Sequence, residues 1–483
     1  MAPSSFSNIA HYSILCSALT LSAKTMKLIS VLTFLLLSIH LTHAQHLQRR
    51  GRLGVQLEPV TDSLAQALKL KATHGMIIRQ VFPGAAYADA GGQEEDVLLA
   101  INGLPANPGT ALQEAMQTVR EGQPARFTVW RDGKKMELEG AVSPIPYETS
   151  ATSEVLYGEV PYKGGWLRTI VNKPNVAGPR PAIYFIPGYT CSSVESFSPI
   201  HPYKKLLDSL SGLGYAIFRV EKPGVGDNAG TGNCLELGFD NELEAYRAAY
   251  DAMQQYDFID TDNIFVWGHS MGGVYAPIVA AQTQPKGVVV YGITHEVWVE
   301  YLLKMVRYQN PLLGHGYAET DRDVRTLYAL LYEHYYLGKS SKELYQNPDY
   351  QKILDRDFAF DGENQILFRH EDFWRELNAH NLSEAWAGIE GHVLSLFGEA
   401  DMEAVNDESQ KEIARIVNAG HPGHGTFRLV PGTDHSMIEV GSMEKGARLR
   451  STPEYREYLQ TKFNYDIVTM THEWIQDVMG ITR

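Results

Sequence analysis

Two hydrophobic patterns follow one another along the chain. From Gly51 to about Val142 the apolar positions fall in short alternating runs. Arg52 to Val55 begins a strand, Ser63 to Leu70 reads as a short helix, and Met76 to Val81 alternates as a strand. Asp96 to Ile101 is a further strand ending in the turn Asn102-Gly103, and Leu112 to Val119 is an amphipathic helix. Arg126 to Trp130 and Met136 to Leu138 close a hairpin around Asp132-Gly133. A segment with several prolines and glycines, Ser143 to Arg180, links the two parts and contains a strand pair, Val155 to Val160 with Trp166 to Val171.

From Pro181 onward, buried-type strands alternate with helical patterns. The apolar runs are Ala182 to Ile186, Ala216 to Val220, Ile264 to Trp267, Gly287 to Tyr291, His392 to Phe397 and Phe427 to Val430. Between and after them, Tyr203 to Ser211, Asn241 to Tyr256, Gly272 to Gln282, Ala404 to Asn418 and Glu454 to Met479 read as helices. Such alternation predicts an α/β fold with a mostly parallel sheet covered on both faces. The long gap between Tyr291 and His392 reads as several helices, an inserted cap over about 295–386. This cap holds 16 of the chain's aromatic residues in 92 positions, with Trp298, Tyr301 and Tyr308 on one helix. They either line a pocket or pack the lid.

Ahead of both patterns lies a leader. Met26 and Lys27 open an apolar run, Leu28 to Leu41, followed by Thr42-His43-Ala44. A short positive start, an apolar core of about a dozen residues and small residues before a cut predict a signal peptide over 1–44, with translation starting at Met1 or Met26. Secretion, to the periplasm, and no stable membrane span after cleavage follow from that reading. Removing 1–44 takes away Lys24 and Lys27 and no acid, so the formal charge goes from −15 to −17. An acidic chain without a Lys/Arg run lacks the footprint that nucleic acid requires. With 483 residues there is room for two or three domains.

Within 51–145, Leu53-Gly54-Val55, Val81-Phe82-Pro83-Gly84-Ala85-Ala86, Ala90-Gly91 and Asp96 to Gly103 resemble a bacterial PDZ domain of the kind attached to periplasmic proteases. Glu95 departs from that pattern, standing where the family usually has Gly. The resemblance implies that Arg52, Leu53, Gly54 and Val55 form the loop whose N–H groups meet a peptide's C-terminal carboxylate. All the candidate chemistry lies after Pro181, which predicts that a chain starting near Thr149 is separable from the PDZ domain.

The chemistry concentrates at the ends of the later strands. Gly268-His269-Ser270-Met271-Gly272-Gly273 runs from a strand into a helix, the pattern of a nucleophile elbow that lifts Ser270 at a helix N-terminus. A serine needs a histidine base and an acid to orient it. Asp401 follows one strand and His435 the next, in the required order, and Glu399 is the alternative acid. The oxyanion donors are assigned to the N–H of Met271 and that of Tyr189, in the loop Pro187-Gly188-Tyr189. Cys191 and Cys234 lie in loops that neighbouring parallel strands bring to the same sheet edge, which predicts a disulfide bracing the oxyanion loop.

Together with Gly188 to Ser193 and Arg219 to Asp227, these residues resemble the α/β-hydrolase superfamily over about 150–483, after a linker with first strands at 146–180. More narrowly they resemble secreted bacterial hydrolases that carry a PDZ domain in front. The resemblance implies ester or acyl hydrolysis through an acyl-enzyme. A peptidase that captures C-termini is the first alternative, and a PDZ binding module with a residual hydrolase domain is the second. Gly224-Val225-Gly226 through Gly230 has the wrong spacing for a dinucleotide loop, and His370-Glu371-Asp372 lacks a second histidine for zinc, so no cofactor or metal is proposed. His269 is read as a packing residue.

Overall fold

The computed structural model describes residues 46–70, 74–195 and 197–481, so the leader expected over 1–44 lies outside the described residues. Contacts divide the chain into Met1–His46 and Leu47–Arg483, and everything below concerns the second unit.

Strands β1 (Val55–Pro59), β2 (Met76–Val81), β3 (Val97–Ile101), β4 (Leu104–Pro105), β5 (Pro124–Arg131) and β6 (Lys134–Ala141) make one antiparallel sheet in the order β1-β2-β3-β5-β6, with β4 on β3. Its core is Ile78, Leu98, Ile101, Phe127 and Val129 from the strands, with Tyr87 from the short helix Ala86–Asp89. Glu95 adopts φ 68°, the left-handed conformation that glycine takes most easily, and Arg79 holds its carboxylate at 3.1 Å. This is the position where the family usually has Gly.

The second sheet has eight strands: β7 (Ser153–Tyr162), β8 (Gly165–Pro174), β9 (Arg180–Ile186), β10 (Ala216–Val220), β11 (Ile259–His269), β12 (Gly287–Tyr291) and, after the cap, β15 (His392–Gly398) and β16 (Gly425–Val430). Their order is β16-β15-β12-β11-β9-β10-β8-β7. All pairs from β10 to β16 are parallel, while β8 runs antiparallel to β10 and to β7. The chain steps from β9 to β10 on one side and then to β11 on the other. The order reverses there, and open α/β sheets bind ligands at the carboxyl ends beside such a reversal.

The cap between β12 and β15 consists of helices Trp298–Leu312, Tyr317–Tyr335, Ser341–Leu344, Pro348–Arg356, Glu371–Ala379 and Leu382–Ala387, with a small hairpin of β13 (Gln365–Ile366) and β14 (Arg369–His370). Two helical expectations change. The helix expected from Ala404 begins at Glu408, because the N–H groups of Glu403 and Ala404 are donated to the Asp401 carboxylate instead. The helix expected over Glu454 to Met479 is split into Glu454–Thr461 and Asp466–Val478. Buried Asn464 causes the break: its N–H bonds the Met437 carbonyl and its Nδ2 bonds Thr433, which ties this turn to the loop carrying His435.

The ends of the first, antiparallel domain lie side by side, with Gly51 bridged to Pro144 and Arg52 N–H donated to the Ser143 carbonyl at 2.9 Å. Just before it, Arg49 is buried against the eight-stranded part, reaching Glu195 at 2.7 Å and Asp227 at 2.5 Å and lying over the Tyr147 ring. The helix Thr110–Gln117 of the antiparallel domain faces the same region, Gln113 and Gln117 both donating to the Gly224 carbonyl.

Candidate active site

Ser270 stands between β11 and the helix Met271–Thr283 with φ 54° and ψ −128°, a strained conformation for a non-glycine residue. The turn is as crowded as the small flanking residues imply. A Cβ on Gly268 would lie within 2.7 Å of the backbone of Gly272 and Gly273, and one on Gly272 would collide with the carbonyls of Ile186 and Pro187. Those contacts let the helix start beside the end of β9. Ser270 N–H bonds the Tyr291 carbonyl at 3.0 Å, and Met271 N–H is among the first donors of the helix, which have no partner within it.

Asp401 and His435 meet at the ends of β15 and β16. His435 Nδ1 lies 3.1 and 3.0 Å from the two Asp401 oxygens, and Asp401 is fully buried. Besides His435, Oδ1 of Asp401 accepts the N–H groups of Glu403 and Ala404 at 3.0 Å each. Glu399, the alternative acid, is exposed and accepts the N–H of Gly432 instead. Burial alone would lower the His435 pKa, but the Asp401 carboxylate offsets it and holds the imidazole above its ordinary value. The carboxylate is held below its ordinary value, burial being overcome by His435 and the donated hydrogen bonds.

Gly292, which follows β12, is a site residue missed in the sequence. At φ 67°, it is where a Cβ would sit 2.8 Å from both Asp401 Oδ2 and His435 Nδ1. The pair rests on its bare backbone. Asp434 was missed as well: burial raises it to about 7, and its oxygens receive Ile438 N–H and Tyr455 OH.

His269 packs, as read, and also links three segments. Its Nε2 lies 2.9 Å from the His435 carbonyl and its Nδ1 2.6 Å from Tyr203 OH. Because a carbonyl only accepts, Nε2 carries the proton and Nδ1 receives the tyrosine hydroxyl. Burial pushes this imidazole down to about 3, which keeps it neutral. Tyr203 OH in turn accepts Gly188 N–H at 3.2 Å. The loop after β9, the elbow and the His435 loop are thus joined.

Ser270, Met271, Tyr189 and His435 share the wall of a cavity of about 400 Å³ under the cap. Val274, Ile293, Trp298, Tyr301, Met305 and Trp374 supply its apolar face. The Trp298 ring stacks between Tyr301 and Trp374, with 4.8 Å to each. Tyr301 OH also donates to the Glu403 carbonyl, fastening the cap helix to the Asp401 loop. Tyr308 is about half exposed and turns away from this wall. Cys191 and Cys234 are joined as a disulfide, with Cα atoms 5.9 Å apart.

In the PDZ part, the carbonyls of Arg52, Leu53 and Gly54 accept the N–H groups of Ala86, Tyr87 and Phe82. The N–H groups of Leu53, Gly54 and Val55 therefore turn the other way, beside a cavity of about 410 Å³ that this loop lines with Leu57, Met116, Ile145 and Pro146. The Arg52 N–H is already given to Ser143, so Arg52 brings no free backbone donor.

The alpha/beta hydrolase family model matches residues 183–445, and a PDZ domain model matches 51–142. The "Probable periplasmic serine endoprotease DegP-like" of Chlamydia trachomatis is 33% identical over 104 residues, covering 22% of this chain and 21% of that protein. "Periplasmic serine endoprotease DegP" of Escherichia coli K12 is 26% identical over 167 residues, 33% of this chain and 35% of its own length. These relatives match over the PDZ region, and the chain spans between a fifth and about a third of their length. Among solved structures, Est1E from Butyrivibrio proteoclasticus with bound ferulic acid is 17% identical, covers 67% of this chain and 99% of its own, and has a TM-score of 0.41. An esterase from Pyrobaculum calidifontis is 16% identical, with 69% and 86% covered and a TM-score of 0.42. The family match spans more than half of the chain and contains Ser270, Asp401 and His435, and by it the chain belongs to the alpha/beta hydrolase family, with a PDZ domain ahead of the catalytic fold.

Proposed function

We propose that the protein is an exported serine hydrolase that cleaves ester bonds of small acyl compounds through an acyl-enzyme. The observation that carries this reading is the His435 ring held by both oxygens of buried Asp401, in the wall of the cavity that Ser270 also lines. With Nδ1 engaged by Asp401, Nε2 is the base. It takes the Ser270 proton as Oγ attacks the acyl carbon, and the negative oxygen so formed accepts the N–H groups of Met271 and Tyr189. His435 then returns the proton to the departing alcohol, and water repeats the sequence to release the acid and restore Ser270. A 400 Å³ cavity beneath a helical cap suits one arm of a small substrate better than a polypeptide.

The peptidase reading is favoured by one observation, the PDZ cavity beside β1, which is an edge strand open to a peptide's C-terminus. Export to an oxidising compartment accords with the Cys191–Cys234 pair and with the periplasmic relatives of the PDZ domain. The test is a panel of esters, thioesters and peptide amides, with a fluorophosphonate label mapped by mass spectrometry. A label on Ser270 and turnover confined to esters support the proposal. Amide turnover would favour the peptidase, and no label with intact peptide binding would favour a binding module.

The acid side of the pH profile is a separate expectation. His435 works as a neutral base, and its raised pKa means it keeps a proton to higher pH than a free imidazole. Activity is present above that pKa and lost as pH falls through it, so the midpoint of kcat/KM is expected above about 6.5. A profile centred at or below that value contradicts the Asp401–His435 coupling. Gly292→Ala, which drives a methyl between the two groups, is expected to lower kcat/KM on the order of a hundredfold and to bring the midpoint back toward 6.5. Steady-state rates across pH on folded variant check both.

A further inference from the structure

Behind the loop Gly188 to Thr190 lies a buried group of charges that the reaction as described leaves unused. Lys222, which follows β10 in the run Arg219 to Asp227, is 1% exposed. Its Nζ donates to the Gly188 carbonyl at 2.5 Å and to the Thr190 carbonyl at 3.0 Å. Arg369, on β14 of the cap and also fully buried, donates to the carbonyl between them, that of Tyr189, at 2.9 Å. Both cations meet Glu242, Arg369 at 2.7 Å and Lys222 at 3.6 Å, and Tyr275 OH donates to the same carboxylate at 3.1 Å. Three successive carbonyls are thus drawn to one side by two cations.

In a trans peptide the C=O and the following N–H point in opposite directions. Fixing the Gly188 carbonyl on Lys222 therefore aims the Tyr189 N–H away from Lys222. Gly188 is close to the nucleophile, since a Cβ built on it would lie 3.7 Å from Ser270 Oγ. The Gly188 N–H is already spent on Tyr203 OH, which leaves the Tyr189 N–H as the donor of that turn. A cation on the carbonyl also polarises the peptide and strengthens its N–H. Lys222 and Arg369 are balanced by Glu242 and by buried Glu221, which adjoins Lys222, so the cluster acts on the loop through its direct hydrogen bonds to the carbonyls, which a dry interior screens weakly. Burial pushes the Lys222 ammonium down to about 8, with Glu242 opposing, so it stays charged at neutral pH.

We infer that Lys222, assisted by Arg369 and Glu242, is a positioning residue that orients and polarises the Tyr189 N–H for the oxyanion, an inference that rests on the serine hydrolase reading. Lys222 touches no reacting atom and acts only through the loop. A role in packing alone would alter stability; this role alters the transition state in particular.

The test compares Lys222→Met with wild type on a small activated ester and on a trifluoromethyl ketone, whose adduct with Ser270 carries the tetrahedral oxyanion. In folded Lys222→Met, kcat is expected to fall on the order of a hundredfold with KM within about twofold, and the ketone is expected to weaken by the same factor as kcat/KM. Wild-type kcat, or a rate loss with unchanged ketone affinity, overturns the inference. If Lys222→Met fails to fold, Arg369→Gln releases the Tyr189 carbonyl, together with the Leu237 carbonyl and the Glu242 pairing, while Lys222 stays on Gly188 and Thr190. A loss of roughly tenfold in both kcat/KM and ketone affinity is then expected, and a loss in the rate with unchanged ketone affinity, or no loss in either, again overturns it. Fluorophosphonate labelling of the wild-type protein separates the two levels. Without a label on Ser270 the functional reading fails and this inference with it, whereas a labelled wild type beside an unimpaired Lys222→Met removes only the inference.

Discussion

Ser270→Ala is expected to abolish fluorophosphonate labelling and to lower turnover by on the order of 10⁴ or more, with the melting temperature nearly unchanged. The size follows from the step removed. Without Oγ there is no acyl-enzyme, and the oxyanion donors and the cavity retain only what they contribute to binding substrate near water. The stability follows from the surroundings. Ser270 is partly exposed at the cavity wall, and its backbone N–H bond to Tyr291 survives the substitution. Retained labelling in the variant would move the nucleophile to another serine and would leave the Asp401–His435 pair without a role.

The parts of the site that were legible in the sequence are those whose cause is local. The elbow at Ser270 is written in the glycines on either side, since strand, sharp turn and helix follow within a dozen residues and the crowding is between neighbours. Asp401 and His435 were legible because each follows an apolar run, and a parallel sheet brings all strand ends to one edge. The cysteine pair, 43 residues apart, rested on the same topological step, from adjacent β9 and β10 to adjacent loops. What escaped depends on distant partners. Lys222 and Arg369 are 147 positions apart and meet only because the cap folds back onto the loop after β9. Gly292 carries no motif, and its lack of a side chain matters only once His435 and Asp401 arrive from two other strands. The break at Asn464 likewise answers to Thr433 and Met437, which no helical periodicity can report. The strands β7 and β8 were read as a pair of first strands at the start of the 150–483 region, and their place at the edge of the main sheet was not legible, because a hairpin signal does not say which sheet it joins.

The domain boundary is the place where the structure changes an expectation most, and it yields the second large effect. A chain beginning at Thr149 is expected to be unfolded or insoluble and inactive, contrary to the separation predicted from the linker. That cut removes Arg49 and Arg50 from Glu195 and Arg49 from Asp227, and takes Glu148 from Arg219, which it meets at 3.0 Å. Glu195, Asp227 and Arg219 are all buried; Asp227 keeps Arg168 at 3.2 Å, and Glu195 keeps only the Tyr157 hydroxyl among its described side-chain partners. A buried charge left without its partner costs about 3–5 kcal/mol, so two of them consume much of the roughly 5–15 kcal/mol that holds a domain folded. The PDZ domain behaves as an insert between Arg50 and Pro144, and the residues on both sides belong to the hydrolase. Excising 52–143 and joining the adjacent ends through a short Gly/Ser linker keeps Arg49, Arg50 and Glu148, although the bonds into the 224–236 loop are lost: Gln113 and Gln117 to Gly224, Arg120 to the Gly226 and Asn228 carbonyls, and Thr110 to Asn233 and Glu236. This excised chain is expected to fold and to turn over a small ester while losing affinity for peptides with a free C-terminus. Circular dichroism melts and ester turnover on the two chains decide it: a folded, active Thr149 chain would show that the Arg49 cluster is dispensable, and a folded but inactive excised chain would make the PDZ helix a part of the catalytic architecture through its hold on the 224–236 loop.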